Sequence, residues 1–130
     1  MSIQQKNNAY KKTGLKHFYY AFTYSLNGFR TAFLNEAAFR QELCFVFIGV
    51  IITLFLSISP VEKVLLIGSL LIILIVELLN SAIESVVDRI SEERHPLSKA
   101  AKDLGSAAVF TAITLCVITW VVILGHHFLH

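Results

Sequence analysis

The sequence has little charge: Asp, Glu, Lys and Arg make up 15% of its 130 residues, against roughly 25% in a typical globular domain. Hydrophobic residues account for 55%, a share that excludes intrinsic disorder. The net charge is only +2 and no run of Lys and Arg is present, so we expect no nucleic-acid partner. The composition indicates a protein of the lipid bilayer.

Several common functional motifs are also missing from the sequence. Its two cysteines, Cys44 and Cys116, each lie in an apolar run, so we expect neither a disulfide framework nor a metal knuckle. There is no G-x-x-x-x-G-K-[ST] phosphate loop, no H-R-D or D-F-G set and no G-x-S-x-G elbow. A nucleotide site in this chain would therefore be built from helix side chains and Mg²⁺.

Three stretches carry no Asp, Glu, Lys or Arg: residues 43–61, residues 64–76, and everything after Asp103. Because a spanning helix needs about 20 mostly apolar residues, the middle stretch is long enough only if it continues through Glu77 and Glu84. The pattern predicts an all-α membrane protein of one domain over residues 1–130, with transmembrane helices over residues 43–61, 63–90 and 99–125.

Residues 14–40 precede these spans and have a different pattern. Apolar side chains recur there at three- and four-residue steps, namely Leu15, Phe18, Phe22, Phe29 and Phe33, which predicts an amphipathic helix. Such a helix lies in the membrane interface, or packs its apolar stripe on the three-helix bundle. The periodicity is compatible with both.

Basic residues indicate the orientation of the chain. The loop between the first two spans offers only Lys63. Basic residues precede the first span and separate the second from the third, and they include Lys6, Lys11, Lys12, Lys16, Arg89, Arg94, Lys99 and Lys102. Since basic residues favour the cytoplasmic side, we expect the amino terminus and the loop around residue 94 to be cytoplasmic.

The second predicted span carries polar residues on one side. With successive residues about 100° apart around the helix, one side carries Glu77, Asn80, Ser81, Glu84 and Asp88. The opposite side carries Leu, Ile and Val. A carboxylate near the bilayer centre costs about 3 kcal/mol, so this acidic stripe must face protein, water or a ligand. It runs from lipid depth into the cytosol, which suits a reaction between a membrane-resident and a water-soluble group. The alternative is that these side chains only hold helices together.

Two further pairs have a spacing with a chemical interpretation. Lys102 and Ser106 lie one turn apart on one face of the third span, an arrangement that suits phosphate, although a lysine there is also a common anchor on the cytoplasmic side. Glu36 and Arg40 have the spacing of an ordinary surface ion pair, and their spacing alone favours that interpretation.

Three blocks of the sequence resemble the small bacterial integral-membrane diacylglycerol kinases: residues 35–42 (NEAAFRQE), 77–88 (ELLNSAIESVVD) and 101–108 (AKDLGSAA). They come in the family's order, and the resemblance covers the chain from about Lys16 onwards. It implies a homotrimer in the bacterial inner membrane with active sites between neighbouring subunits. It also implies the ATP- and Mg²⁺-dependent phosphorylation of diacylglycerol to phosphatidate, in phospholipid recycling.

The resemblance further implies roles for individual residues. Glu77 would be the catalytic base towards the lipid hydroxyl, while Glu36 and Glu84 would hold the metal that bridges the nucleotide phosphates. The other residues implied for ATP are His17, which with Lys16 beside it stands where the family often has an arginine, and Tyr24, Glu93, Arg94, His95, Lys102 and Asp103. The other residues implied on the lipid side are Ser25, Arg30, Ala38, Phe39, Arg40, Gln41, Glu42, Lys63, Ser106 and Trp120. Asn80 and Asp88 would support the site.

Two alternative functions remain open from the sequence. An undecaprenol kinase of the same fold would differ only in its lipid, although residues 35–42 and 105–108 look more like the diacylglycerol branch. A non-enzymatic oligomer, either an assembly factor or a small cation channel whose pore is lined by the acidic stripe, belongs to another class and predicts no ATP turnover.

Overall fold

The computed structural model describes residues 14–129, which form the helices α1 (Leu15–Asn35), α2 (Ala37–Phe55), α3 (Pro60–Ile90) and α4 (Pro96–Leu129). The last three are each long and apolar enough to cross a membrane. The expected all-α class with three candidate spans is therefore confirmed. Three of the lysines used for the orientation argument, Lys6, Lys11 and Lys12, lie outside the described residues.

The helix bounds differ from those expected from the charge-free runs. α1 ends at Asn35 rather than at residue 40, because Glu36 is extended (φ −109°, ψ 111°) and forms the N-cap of α2. α2 therefore begins at Ala37 instead of residue 43, and α4 begins at Pro96 instead of residue 99. Hydropathy locates an apolar core, whereas a helix begins where the backbone leaves the extended region.

The chain divides into two compact units. The first ends at Asn35 and contains α1, and the second begins at Glu36 and contains α2, α3 and α4. Most aromatic side chains of α1, including Phe18 and Phe22, are exposed. The interfacial position expected for this helix stays a prediction.

α3 is the central helix of the second unit, because α2 and α4 both pack on it. Its buried side chains are Leu66, Ser69, Leu70, Ile73, Leu74 and Glu77. Their three- and four-residue spacing forms one continuous buried stripe. Glu77 is thus the next residue of an otherwise mostly apolar packing face.

The turn between α2 and α3 is fixed by the side chains of Ser59, Glu62 and Lys63. The backbone N–H of Ser59 donates to Glu62 Oε2 (2.8 Å) and that of Glu62 donates to Ser59 Oγ (3.3 Å), a capping box with Pro60 at the first helical position. Lys63 Nζ donates to the carbonyl oxygen of Leu54 (3.1 Å), one of the α2 carbonyls that lack a helical partner. These contacts hold α2 and α3 antiparallel.

Gly49 lets α2 approach its neighbours closely. A Cβ atom at this position would lie 2.7 Å from Leu70 Cδ1 and 3.4 Å from Trp120 Cζ2. One turn further on, the fully buried Thr53 donates from Oγ1 to the carbonyl oxygen of Gly49 (2.8 Å). Gly49 therefore leaves little room for a side chain where α2, α3 and α4 meet.

We expect Gly49→Val to destabilise the protein by about 1–3 kcal/mol, because the added methyl groups overpack the space held by Leu70 and Trp120. Gly68→Val on α3 is the matched control, since a Cβ there meets nothing within 4 Å and the change in helix propensity is the same. Unfolding in detergent micelles, followed by circular dichroism, measures both variants. Equal losses in the two variants would contradict the close approach at Gly49.

Candidate active site

The structure brings four carboxylates together at one end of the three-helix unit. Glu77 on α3 is 5% exposed, and the carboxylates of Glu36 and Glu84 are near enough to repel it. Glu42 on α2 interacts with Glu77 in the same way. We call Glu36, Glu42, Glu77 and Glu84 the carboxylate cluster. It joins the cap and first turns of α2 to the second half of α3.

The acidic stripe of α3 faces the neighbouring helices and becomes more exposed along its length. Glu77 is buried, Asn80, Ser81 and Glu84 are half-buried, and Asp88 is exposed. On the opposite side, Leu79 and Val86 are 59% and 61% exposed. The stripe therefore faces protein, one of the three surroundings that its pattern allows, and its outer end is accessible to water.

Asn80 connects the stripe to α4. Its Nδ2 donates to Glu84 Oε1 (3.3 Å), and its Oδ1 lies against Gly105 of α4. This oxygen is buried and has no hydrogen-bond partner among residues 14–129. The amide thus orients one carboxylate of the cluster while it contacts a glycine on the adjacent helix.

Lys102 supplies a positive charge beside the same carboxylate. Its Nζ forms an ion pair with Asp88, and Glu84 also attracts it. One turn away on the surface of α4, Lys99 pairs with Asp103. Because these ion pairs are partly exposed, they contribute little to stability, and Lys102 is available to an anion of higher charge.

A pocket of about 650 Å³ lies where α3 passes into α4. All five residues that the resemblance implies for ATP in this part of the chain line it, together with Asp88: Glu93, Arg94, His95, Lys102 and Asp103. The loop that forms the pocket is ordered locally, since the N–H of Glu93 donates to Ser91 Oγ (2.9 Å). Its lining residues are mostly charged or polar and include the basic Arg94, Lys99 and Lys102, and a pocket of this size suits a nucleotide.

His95 has a structural role at this pocket. Its Nδ1 accepts a hydrogen bond from the N–H of Leu97 (3.1 Å), and the N–H of Lys99 donates to the His95 carbonyl oxygen (3.0 Å). With Pro96 as the first residue of α4, His95 acts as its N-cap. The cap fixes the helix that carries Lys102.

A second cavity, of about 420 Å³, is an apolar crevice formed by α2, α3 and α4. Its lining comprises Ala38, Gln41, Glu42, Phe45, Val46, Leu70, Ile73, Ile113, Cys116 and Val117. Three of these, Ala38, Gln41 and Glu42, are implied for the lipid side. Glu42 Oε2 is buried without a hydrogen-bond partner in the described chain, and through this residue the crevice adjoins the carboxylate cluster.

Some residues implied for the site are not brought to it. Lys63 bonds to Leu54 at the far end of α3, about 21 Å from Glu77 along the helix axis, and Trp120 packs on Gly49. Among the remaining residues of the second unit, Phe39 is buried, while Arg40 and Ser106 are exposed. Substrate contacts of these residues stay predictions.

Four implied residues lie on α1 and are exposed there: His17, Tyr24, Ser25 and Arg30. The ring of Tyr24 stacks on Tyr20 with centroids 6.5 Å apart, and Ser25 Oγ donates to the Ala21 carbonyl oxygen (3.0 Å). Their implied contacts with nucleotide and lipid also stay predictions.

Sequence reasoning missed three features of the site. No pattern in the sequence indicated that Gly105 of α4 meets Asn80 of α3. The pairing of Asp88 with Lys102 joins residues far apart in the chain, so their spacing carried no signal of it. The apolar lining of the crevice, such as Phe45 and Val117, is indistinguishable in sequence from other membrane-span residues.

Three candidate spans fit a membrane protein, and the partly buried carboxylate cluster is its candidate functional site. The model of the prokaryotic diacylglycerol kinase family matches residues 23–124. The chain belongs to this family of membrane kinases, which confirms the resemblance seen in the sequence.

Several relatives in the family are similar over most of their length. The diacylglycerol kinase of Escherichia coli K12 is 52% identical over 116 residues, which cover 89% of this chain and 95% of the relative. The diacylglycerol kinase of Pseudomonas aeruginosa is 53% identical over 113 residues, which cover 87% of this chain and 92% of the relative. The diacylglycerol kinase of Haemophilus influenzae is 50% identical over 111 residues, which cover 85% of this chain and 94% of the relative.

We expect the substitution His95→Ala to loosen the first turn of α4. His95→Asn should preserve this turn, because Asn also accepts the cap hydrogen bond. The cap is worth about 1 kcal/mol. Hydrogen–deuterium exchange over residues 96–100 measures the loosening, and the KM for MgATP separates the roles. If His95 only caps the helix, His95→Asn restores the KM; if its ring contacts ATP, both variants raise it. Unchanged exchange in His95→Ala would contradict the cap.

Proposed function

We propose that the protein transfers the γ-phosphoryl group of ATP to diacylglycerol and releases phosphatidate and ADP. One observation carries the proposal: the carboxylate cluster adjoins two cavities, an apolar crevice and a pocket lined mainly by charged and polar residues. Glu42 belongs to the apolar crevice, and Glu84 lies beside Lys102 of the polar pocket. Such an arrangement suits a lipid alcohol on one side and a nucleotide on the other.

Glu77 is the proposed catalytic base. Its carboxylate accepts the proton of the lipid hydroxyl, and the hydroxyl oxygen forms a bond to the γ-phosphorus. The bond from that phosphorus to the β–γ bridging oxygen breaks, and ADP leaves with the electron pair. A base must be within hydrogen-bond reach of the proton that it removes, and Glu77 is near Glu42, which lines the crevice in which the lipid would lie.

Glu36 and Glu84 are the proposed ligands of Mg²⁺. Among the described residues, no group of three or more His, Cys, Asp or Glu side chains forms a ready metal site. Mg²⁺ at nucleotide sites, however, uses one or two carboxylates together with phosphate oxygens and water, and two carboxylates near Glu77 fit this requirement. When bound, Mg²⁺ neutralises charge on the phosphates. Lys102 adds a positive charge from α4, and Asn80 orients Glu84.

The apolar crevice is proposed to hold the lipid near its hydroxyl end. Its walls are mostly apolar side chains of α2, α3 and α4, and its polar groups Gln41 and Glu42 lie on α2. Acyl chains would leave the crevice towards the bilayer, where the exposed faces of the helices are apolar. The lipid alcohol would then be held at the depth of Glu77.

The proposed location is the bacterial inner membrane, with several spans and a cytoplasmic amino terminus. The basic residues around the α3–α4 loop support this orientation, and ATP is then available to the pocket. A homotrimer is proposed as well, because the resemblance implies sites that neighbouring subunits share.

Phosphate transfer by the purified protein tests the function and its alternatives. Mixed micelles with MgATP would offer either diacylglycerol or undecaprenol. Labelled phosphatidate supports the proposal, whereas labelled polyprenyl phosphate would support the undecaprenol alternative. If neither lipid were labelled, the proposal would be overturned and a non-enzymatic oligomer favoured.

Two isosteric variants separate the proposed base from the proposed metal ligand. We expect Glu77→Gln to lower kcat by about 10²–10⁴-fold, because it removes the base, with little change in MgATP binding. Glu84→Gln should instead weaken MgATP binding itself. Isothermal titration with a non-hydrolysable MgATP analogue measures binding apart from turnover. Wild-type turnover in both variants would contradict the assignments.

A bulky residue in the crevice should affect the lipid alone. We expect Val117→Trp to raise the KM for diacylglycerol several-fold because it fills the cavity, and to leave the KM for MgATP unchanged. Val121→Trp is the control, since Val121 lies one turn further along α4, is exposed and does not line the crevice. Equal lipid KM values in both variants would exclude the crevice as the lipid site.

A further inference from the structure

We infer that Gly105 is a positioning residue for the nucleotide–metal site: by leaving room for Asn80 Oδ1, it directs the Asn80 amide nitrogen to Glu84. The inference rests on the proposed function, in which Glu84 holds Mg²⁺. It assigns to Gly105 a role that requires no contact with nucleotide, metal or lipid.

The orientation of the Asn80 amide follows from its two neighbours. An ionised carboxylate only accepts hydrogen bonds, so the amide nitrogen must face Glu84, as the Nδ2–Oε1 distance of 3.3 Å shows. The amide oxygen then has to point to α4. There it is buried without a hydrogen-bond donor among residues 14–129, so no hydrogen bond holds it against α4 and a side chain at residue 105 would displace it.

Gly105 provides that position. A Cβ atom at residue 105 would overlap Asn80 Oδ1 and would lie 3.2 Å from Asn80 Cγ. The oxygen therefore occupies the volume that any side chain at residue 105 would take. In its place, a Cα hydrogen of Gly105 points towards the oxygen, and a Cα–H group is a weak donor to such an acceptor. Gly105 itself is buried.

A side chain at residue 105 would act on the metal ligand through Asn80. The displaced amide must rotate or move away from α4, and Glu84 loses the group that orients it. Partners of this kind, one step removed from a metal, typically change metal affinity or activity by roughly 10- to 100-fold when they are mutated. Lys102, one turn earlier on α4, already acts on Glu84 by its charge. α4 thus influences this carboxylate in two ways.

Gly105 also allows close helix packing, as Gly49 does, and the two roles differ in a measurable way. If Gly105 only allowed close packing, a methyl group at residue 105 would lower stability whenever it met the side chain at residue 80. It would leave the nucleotide affinity of the folded protein unchanged. A positioning role changes affinity and disappears when Asn80 is removed.

The test is a double-mutant cycle of Gly105→Ala and Asn80→Ala in the purified full chain. Affinity for a non-hydrolysable MgATP analogue is measured by isothermal titration, and the thermal midpoint is recorded for each variant. Gly125→Ala on the same helix is the control, since a Cβ there meets nothing within 4 Å. We expect Gly105→Ala and Asn80→Ala each to weaken analogue binding by about tenfold.

The double variant should bind the analogue no more weakly than Asn80→Ala alone, because Asn80→Ala removes the oxygen that the new methyl group would displace. It should also fold even if Gly105→Ala does not. Wild-type affinity in Gly105→Ala, or additive losses in the double variant, would overturn the inference while phosphate transfer by the wild type still supports the proposed function. If the wild type bound no nucleotide, both would fail.

Discussion

The structure depends on one constraint: a carboxylate at membrane depth must be enclosed by protein or water. Glu77 lies on the packing face of the central helix α3 and is 5% exposed. The apolar residues Leu70, Ile73 and Leu74 precede it on that face, so the helices that bury them also surround the acid. Burial of a charge without compensation is costly, and such a group is retained where it has a function. The repulsion from Glu36, Glu42 and Glu84 adds to this cost, which a proton or a cation at the cluster would relieve.

Glycine sets the distances between the helices that enclose the acid, and its two buried examples differ in what they meet. Gly49 faces the flexible end of Leu70 and the ring of Trp120, whereas Gly105 faces the amide oxygen of Asn80. At Gly49 a larger residue disturbs apolar packing, which can partly relax. At Gly105 a larger residue displaces the amide oxygen of Asn80, whose amide nitrogen donates to Glu84. Close packing at Gly105 is therefore linked to the proposed metal ligand.

The sequence was sufficient to predict the three candidate spans and the inward direction of the acidic stripe, because hydropathy and helical periodicity depend only on local order. It was insufficient for the start of α2, since the extended backbone of Glu36 leaves no signal in hydropathy. The spacing of Glu36 and Arg40 suggested a surface ion pair, and only the fold reveals that Glu36 is also near Glu77. The contacts of Asn80 with Gly105 and of Lys102 with Asp88 depend on how α4 packs on α3, which no single-helix pattern contains.

The rigid helix α3 explains how the proposed site could bind one substrate from the membrane and one from water. Glu77 and Glu84 are two turns apart on α3, about 10 Å along the axis, and exposure rises from the first to the second. In the proposed reaction the lipid oxygen, the γ-phosphoryl group and the phosphates that bind Mg²⁺ must lie in this order over that interval. Since a helix does not stretch, the separation of the proposed base and the proposed metal ligand would be fixed before either substrate binds, and catalysis by positioning requires such preorganisation. Side chains that hold Glu84 on its helix face therefore matter as much as those that touch the phosphates.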